Sequence, residues 1–136
     1  MSAIPAFLQR LVLRRAKGRC EYCRLSQAGQ EATFHIDHII PQTAGGKTSA
    51  DNLALACVSC SLRKGARQAF WDAQTKTEVR LFHPRQDRWD EHFVWEDTQL
   101  IGLTDIARAT IAALDMNRPL ILAIRAEEIL LGRHFE

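Results

Sequence analysis

Four cysteines in this chain fall into two Cys-x-x-Cys pairs, Cys20/Cys23 and Cys57/Cys60, with 33 residues between them. Two residues between paired cysteines let both sulfurs reach one ion from a single turn. One pair alone could be a redox motif. Two pairs, with no other cysteine in the chain, point to a tetrahedral structural zinc held by Cys20, Cys23, Cys57 and Cys60. A closed four-thiolate site has no open position for substrate, so it stabilises and does not catalyse. Reactive chemistry must then come from the segment between the pairs. That segment holds Phe34-His35-Ile36-Asp37-His38-Ile39-Ile40-Pro41 and, further on, Asp51-Asn52. A single histidine on an apolar strand is more often packed and hydrogen-bonded than catalytic, but three polar residues in one short apolar run are harder to dismiss. Strand alternation puts His35 and Asp37 on one face and His38 on the other. The first face could hold a metal through imidazole and carboxylate ligands. For His38 to share that site, the strand must bend or twist near Pro41.

The elements that would position these residues can be read from pattern. Residues 5–17 have the spacing of an amphipathic helix, with Phe7, Leu8, Leu11 and Val12 apolar, Pro5 in the first turn and Gly18 as the stop. The first cysteine pair is a tight turn, and residues 26–31 are a loop. Thr33 to Ile40 has strand composition and ends at Pro41. Residues 42–52, with Gly45-Gly46 and Asp51-Asn52, form a long loop of turn formers. Leu53 to Cys57 is a second short strand. Ser59 or Ser61 could cap a helix running through Arg63, Lys64 and Arg67. In the second half, Glu78 to Phe82 and Trp89 to Trp95 read as strands joined by a turn at Arg85-Gln86-Asp87. A helix capped by Thr104 runs to about Met116, Asn117-Arg118-Pro119 breaks it, and Leu120 to Leu131 is a last helix stopped at Gly132.

The chain of 136 residues is long enough for a core without disulfides, and no apolar run reaches membrane-spanning length. The expectation is one domain over residues 1–136, without a signal peptide, in the cytoplasm, where thiols stay reduced. The net charge of +2 hides an asymmetry. Residues 1–70 carry ten basic and four acidic side chains, whereas residues 71–136 carry eight basic and twelve acidic. The basic half coincides with the metal-ligand motifs, which suits a phosphate backbone, although a solubilising surface would look the same. Arg63, Lys64 and Arg67 could contact phosphates or simply lie on a solvated helix face. His83, His92 and His134 read as structural or surface residues, and Trp71, Trp89 and Trp95 as packing.

At these motifs the chain resembles the HNH endonuclease family, the ββα-metal nucleases, in its zinc-containing bacterial branch. The matching elements are Cys20-Glu21-Tyr22-Cys23, Ile36-Asp37-His38-Ile39-Ile40-Pro41, Gly45-Gly46, Asp51-Asn52-Leu53, Cys57-Val58-Ser59-Cys60 and Lys64-Gly65. A weaker likeness to the tail of some members lies at Arg85 to Phe93. The resemblance implies an α+β fold: an HNH core over residues 17–67 stabilised by zinc, an N-terminal helix, and a supporting extension over 68–136 with a β-hairpin and two helices. It implies hydrolysis of DNA phosphodiester bonds; no residue recognisably reads base edges, so strong sequence specificity is not expected, and the absence of a long apolar run gives no membrane partner. His38 would be the general base, Asp37 the ligand of a catalytic Mg²⁺, Mn²⁺ or Ni²⁺, and Asn52 the residue that holds the loop. One departure matters. The family usually has Asn or His immediately after the last cysteine as a second metal ligand, and this chain has Ser61. Ser61 could hold the ion through water, His35 could replace it, or the site could have lost its metal and become a binding module. Retained activity is the favoured outcome, because Asp37, His38 and Asn52 all stand where the motif needs them.

Overall fold

The computed structural model describes residues 3–133. It has the mixed helix and strand architecture expected from the sequence, with small antiparallel hairpins. The first helix, α1 (Ala6–Ala16), turns Leu8, Val12 and Ala16 inward at four-residue spacing. It ends where Lys17 and then Gly18 take left-handed backbone angles, with φ of 54° and 72°.

A ββα unit follows the first cysteine turn. Strand β1 (His35–His38) pairs antiparallel with β2 (Leu53–Ala56), placing Asp37 opposite Ala54 and His38 opposite Leu53. All four residues of β2 are buried, since α1 and helix α2 (Val58–Lys64) both pack on that strand. Helix α2 also crosses β1, so side chains of β1 on that face meet those of the helix. The cap of α2 is Cys57, whose sulfur accepts the Cys60 N–H at 3.4 Å; neither Ser59 nor Ser61 serves. The helix stops at Lys64, because Gly65 adopts φ 53°. Arg67 therefore lies beyond the helix and does not share a helical face with Arg63, contrary to the expectation above.

The extension departs from its expected pairing. Strand β3 (Ala69–Asp72) pairs with β4 (Thr77–Arg80), and β5 (Phe93–Glu96) pairs with β6 (Gln99–Gly102), giving two local hairpins. Residues 78–82 and 89–95 thus do not pair with each other. Asp72 accounts for the first hairpin: its Oδ2 accepts from the Thr75 N–H and hydroxyl, closing the turn. Trp89–His92 is a helical turn, α3, in place of a strand. Helix α4 (Asp105–Leu114) is capped by Thr104 as expected, its hydroxyl accepting from the Ala107 N–H at 3.1 Å. Helix α5 (Pro119–Leu130) takes Pro119 into its first turn. Helix α4 packs on β3, β6 and α2, which joins the extension to the ββα unit.

The core runs through both halves, from Val12, Tyr22 and Leu55 to Phe82, Phe93, Leu100, Leu114 and Ile121. Among the described residues, no helix is long and apolar enough to cross a membrane.

Candidate active site and metal centre

The four cysteines converge. Cys20, Cys23, Cys57 and Cys60 are buried, and their sulfurs all lie within 4.8 Å of one another. The Cys23 and Cys57 sulfurs are 3.7 Å apart. Four sulfurs at about 2.3 Å from a central ion would stand about 3.8 Å apart along each tetrahedral edge, so the spacing fits zinc. Each pair is pre-folded by its own backbone: Cys23 N–H points at the Cys20 sulfur at 3.5 Å, as Cys60 N–H does at Cys57. Hydrogen bonds from Cys20, Cys23 and Cys60 push the Cys57 thiol below its ordinary range, the direction that favours a metal-binding thiolate. Among the described residues, this is the group of cysteine, histidine and acidic side chains that closes around a single point.

Asp37 sits at the crossing of β1 and α2, with its side chain 10% exposed. The Lys64 ammonium lies 3.1 Å from Oδ2 and 3.3 Å from Oδ1, and also donates to the His38 carbonyl at 3.0 Å. The ammonium thus hydrogen-bonds Asp37 Oδ1 and the His38 carbonyl while pairing in charge with the whole carboxylate. The Tyr22 hydroxyl donates to Asp37 Oδ2 at 2.8 Å. Burial pushes the Asp37 carboxyl up, against the pull of Lys64 and Tyr22. Lys64 is fully buried, so its charge is spent on Asp37 inside the fold. That corrects the expectation that Lys64 reaches a phosphate.

His35 lies on the same face of β1, as alternation requires. Its Nδ1 is 2.9 Å from the Ser61 hydroxyl, a side chain supplied by the next helix. Asp37, His35 and Ser61 together offer oxygen and imidazole donors, which in chemical type suit a hard or borderline divalent cation. Such a cation would have to share Asp37 with Lys64.

His38 ends β1 half-buried, with Nε2 2.9 Å from the Thr48 hydroxyl. Thr48 belongs to the loop that Asn52 fastens. The Asn52 amide donates to the Ile40 carbonyl at 3.0 Å and the Lys47 carbonyl at 2.8 Å, and its oxygen accepts the Ile40 N–H at 2.8 Å. Gly46 passes so close beneath this latch that a Cβ there would stand 1.7 Å from the Ile40 carbonyl oxygen and 2.9 Å from Asn52 Nδ2.

The basic residues after Cys60 are partly engaged. Arg63 Nε donates to the Ser59 hydroxyl, and its guanidinium lies 3.8 Å from Asp115. Arg67 stacks over Phe70 at 4.6 Å from the ring centre. Both remain accessible to solvent. His83 and His92 are held in local hydrogen bonds, and His134 lies outside the described residues. Trp89 is buried, Trp95 half-buried and Trp71 exposed.

Tyr22 and Thr48 had no signal in the sequence, and the segment Arg85 to Phe93 had a likeness without a role. Tyr22 occupies an unconstrained position inside Cys-x-x-Cys, yet it bridges the cysteine turn to Asp37. The segment Arg85 to Phe93 braces that turn from outside. Arg85 pairs with Glu21, whose other oxygen accepts the Leu55 N–H, and Trp89 Nε1 donates to the Tyr22 carbonyl at 3.2 Å. The hydroxyl of Thr48 would have been found only by knowing where the loop folds.

Comparison with known proteins agrees with this geometry. Residues 20–67 match the model of the HNH endonuclease family. No match was found among curated proteins.

Proposed function

We propose that the chain is a metal-dependent endonuclease that hydrolyses DNA phosphodiester bonds without strong sequence specificity, with His38 as general base. The HNH match over residues 20–67 supports a nuclease-type activity on nucleic acid. The observation that carries the finer reading is the setting of His38. Its ring stands at a strand end, partly open to solvent, with Nε2 facing a hydroxyl rather than a carboxylate. A water that takes the place of the Thr48 hydroxyl can give its proton to the imidazole as its oxygen attacks phosphorus. The bond from phosphorus to the leaving oxygen breaks, and that oxygen takes up a proton from solvent. Asn52 keeps the loop, and hence Thr48, at a fixed distance from His38. Asp37 would hold the cation (Mg²⁺, Mn²⁺ or Ni²⁺), with Ser61 or His35 as its neighbour. When bound, such an ion neutralises charge on the scissile phosphate and the departing oxygen. Arg63 and Arg67 supply positive charge for flanking phosphates. The cysteine centre carries a structural zinc, and the extension over 68–136 acts as support within one domain. Cytoplasmic residence fits four reduced thiols.

A second reading has its own observation. Lys64 already neutralises Asp37, and Ser61 replaces the usual Asn or His, which favours a zinc-stabilised nucleic-acid-binding module without catalysis. Supercoiled plasmid incubated with Mg²⁺, Mn²⁺ or Ni²⁺ separates the two. The nuclease reading requires nicking that EDTA and His38→Ala abolish. Equal nicking by wild type and His38→Ala would remove His38 from its role. Binding of DNA that weakens with salt, without any nicking, would establish the module.

A further inference from the structure

Two arginines lie against the cysteine centre without an acidic partner. Arg125, on α5, is 2% exposed. Its Nη1 donates to the Thr98 carbonyl and to Asn117 Oδ1, at 3.0 and 3.1 Å, and its Nη2 reaches the Cys23 carbonyl at 3.4 Å. Its guanidinium rests on Trp95 at 4.9 Å. Arg24 immediately follows Cys23, is half-buried, and lies over Trp89 at 4.8 Å. The Nε of each is buried with no hydrogen-bond partner. Neither takes part in an ion pair among the described residues, and Asp90 acts on Arg24 only from beyond that distance.

A guanidinium does not lose its proton in a protein. Burying one without an anion costs several kcal/mol. These two positive charges therefore call for a compensating negative charge nearby. Uncharged thiols do not supply it. A zinc ion bound by four thiolates does, because two positive charges against four negative leave a net charge of −2. Burial opposes the charge of both arginines; charge on Cys20 and Cys23 favours Arg24 against Arg19, and charge on Cys23, Cys60 and Cys20 favours Arg125 against Arg118.

We propose that Arg24 and Arg125 are the counter-cations of the zinc tetrathiolate, matching its double negative charge from opposite ends of the chain. This rests on the reading of the cysteines as a zinc site. It also gives zinc a task beyond joining the two cysteine turns: through Arg125 the centre draws α5 onto the ββα unit. Emptying the site removes that compensating charge from the buried Arg125 and the half-buried Arg24 and loosens that helix.

The test is zinc affinity, measured on the full chain by competition with a chromogenic chelator. Wild type, Arg24→Met, Arg125→Met and Arg125→Lys are compared, with bound zinc counted by atomic spectroscopy. The methionine variants keep most of the apolar stem and lose the charge. Each should weaken zinc binding about 10- to 100-fold, the range for partners just outside a metal's ligands, and speed alkylation of the cysteines. Arg125→Lys should recover most of the affinity. Zinc should raise the melting temperature of wild type by more than that of either methionine variant. A packing role alone would instead lower the melting temperature of zinc-bound and zinc-free protein equally, with affinity unchanged, and that result overturns the proposal. If Arg125→Met does not fold, Arg24→Met decides on the same criterion. Absence of zinc from wild type would overturn the zinc reading itself, whereas zinc in wild type with unaltered variants overturns only the arginine assignment.

Discussion

Removing the Lys64 ammonium offers the sharpest check on the ββα unit. The side chain is fully buried, and its charge lies 3.1 Å from Asp37 Oδ2. At that distance, an effective dielectric of about 20 gives an attraction of about 5 kcal/mol. Taking both ions out of water costs several kcal/mol each. The pair is therefore close to neutral against an apolar pair of similar size, while either partner alone is expensive. Lys64→Met should cost about 3–5 kcal/mol, because Asp37 stays buried with only Tyr22 to hold it. Asp37→Leu should cost a similar amount, by stranding the ammonium. The double variant should cost clearly less than the sum, leaving a coupling of about 2 kcal/mol or more. Urea denaturation of zinc-loaded protein, read as a midpoint shift at constant slope, measures all three. Costs that add within about 0.5 kcal/mol would refute the reasoning, since additivity means the two groups do not interact.

Three other outcomes follow from the loop and its neighbours. Asn52→Ala removes three hydrogen bonds at a buried residue and strands the Ile40 N–H, so stability should fall by about 1–3 kcal/mol and hydrogen exchange across residues 39–52 should accelerate; unchanged exchange would contradict the latch. Gly46→Ala should cost at least about 2 kcal/mol in thermal melting, because the new methyl meets backbone that cannot yield; a cost under about 0.5 kcal/mol would count against the close approach. Burial lowers the His83 pKa below 6.5, and its Nδ1 accepts the Arg85 and Gln86 N–H groups. The unfolded chain binds the proton more readily, so stability present above pH 6.5 should fall as pH drops through the lower folded value, and His83→Gln should flatten that slope; an identical slope in both would exclude His83 as its source.

What could be read from the sequence was what has a local cause. The cysteine spacing brings four sulfurs to one point, α1 ends at the left-handed Lys17-Gly18, Thr104 caps α4, and Pro119 marks the start of α5. Alternation put His35 and Asp37 together, and α2 meets both. The failures share a physical origin in contacts distant along the chain. In the sequence Lys64 suits a phosphate contact or a solvated helix face; only the packing of α2 on β1 brings it to Asp37. The expected pairing of residues 78–82 with 89–95 ignored the Asp72 turn, which pairs β4 with its nearer neighbour first. Arg125, more than a hundred residues from Cys23, could not have been connected to the cysteine centre by any spacing rule.

The contact between Trp89 and Tyr22 bears on where this protein can be divided. The family match ends at residue 67, which suggests a portable unit. Yet the turn that carries Tyr22 is tied by the Trp89 indole N–H at the Tyr22 carbonyl and by Arg85 at Glu21, both beyond that boundary. A fragment cut at the edge of the match would keep every ligand and the histidine, but would leave the Tyr22 carbonyl and the Glu21 carboxylate without their partners. Any attempt to graft this segment into another scaffold must carry residues 85–93 along, or replace the hydrogen bond and ion pair they supply.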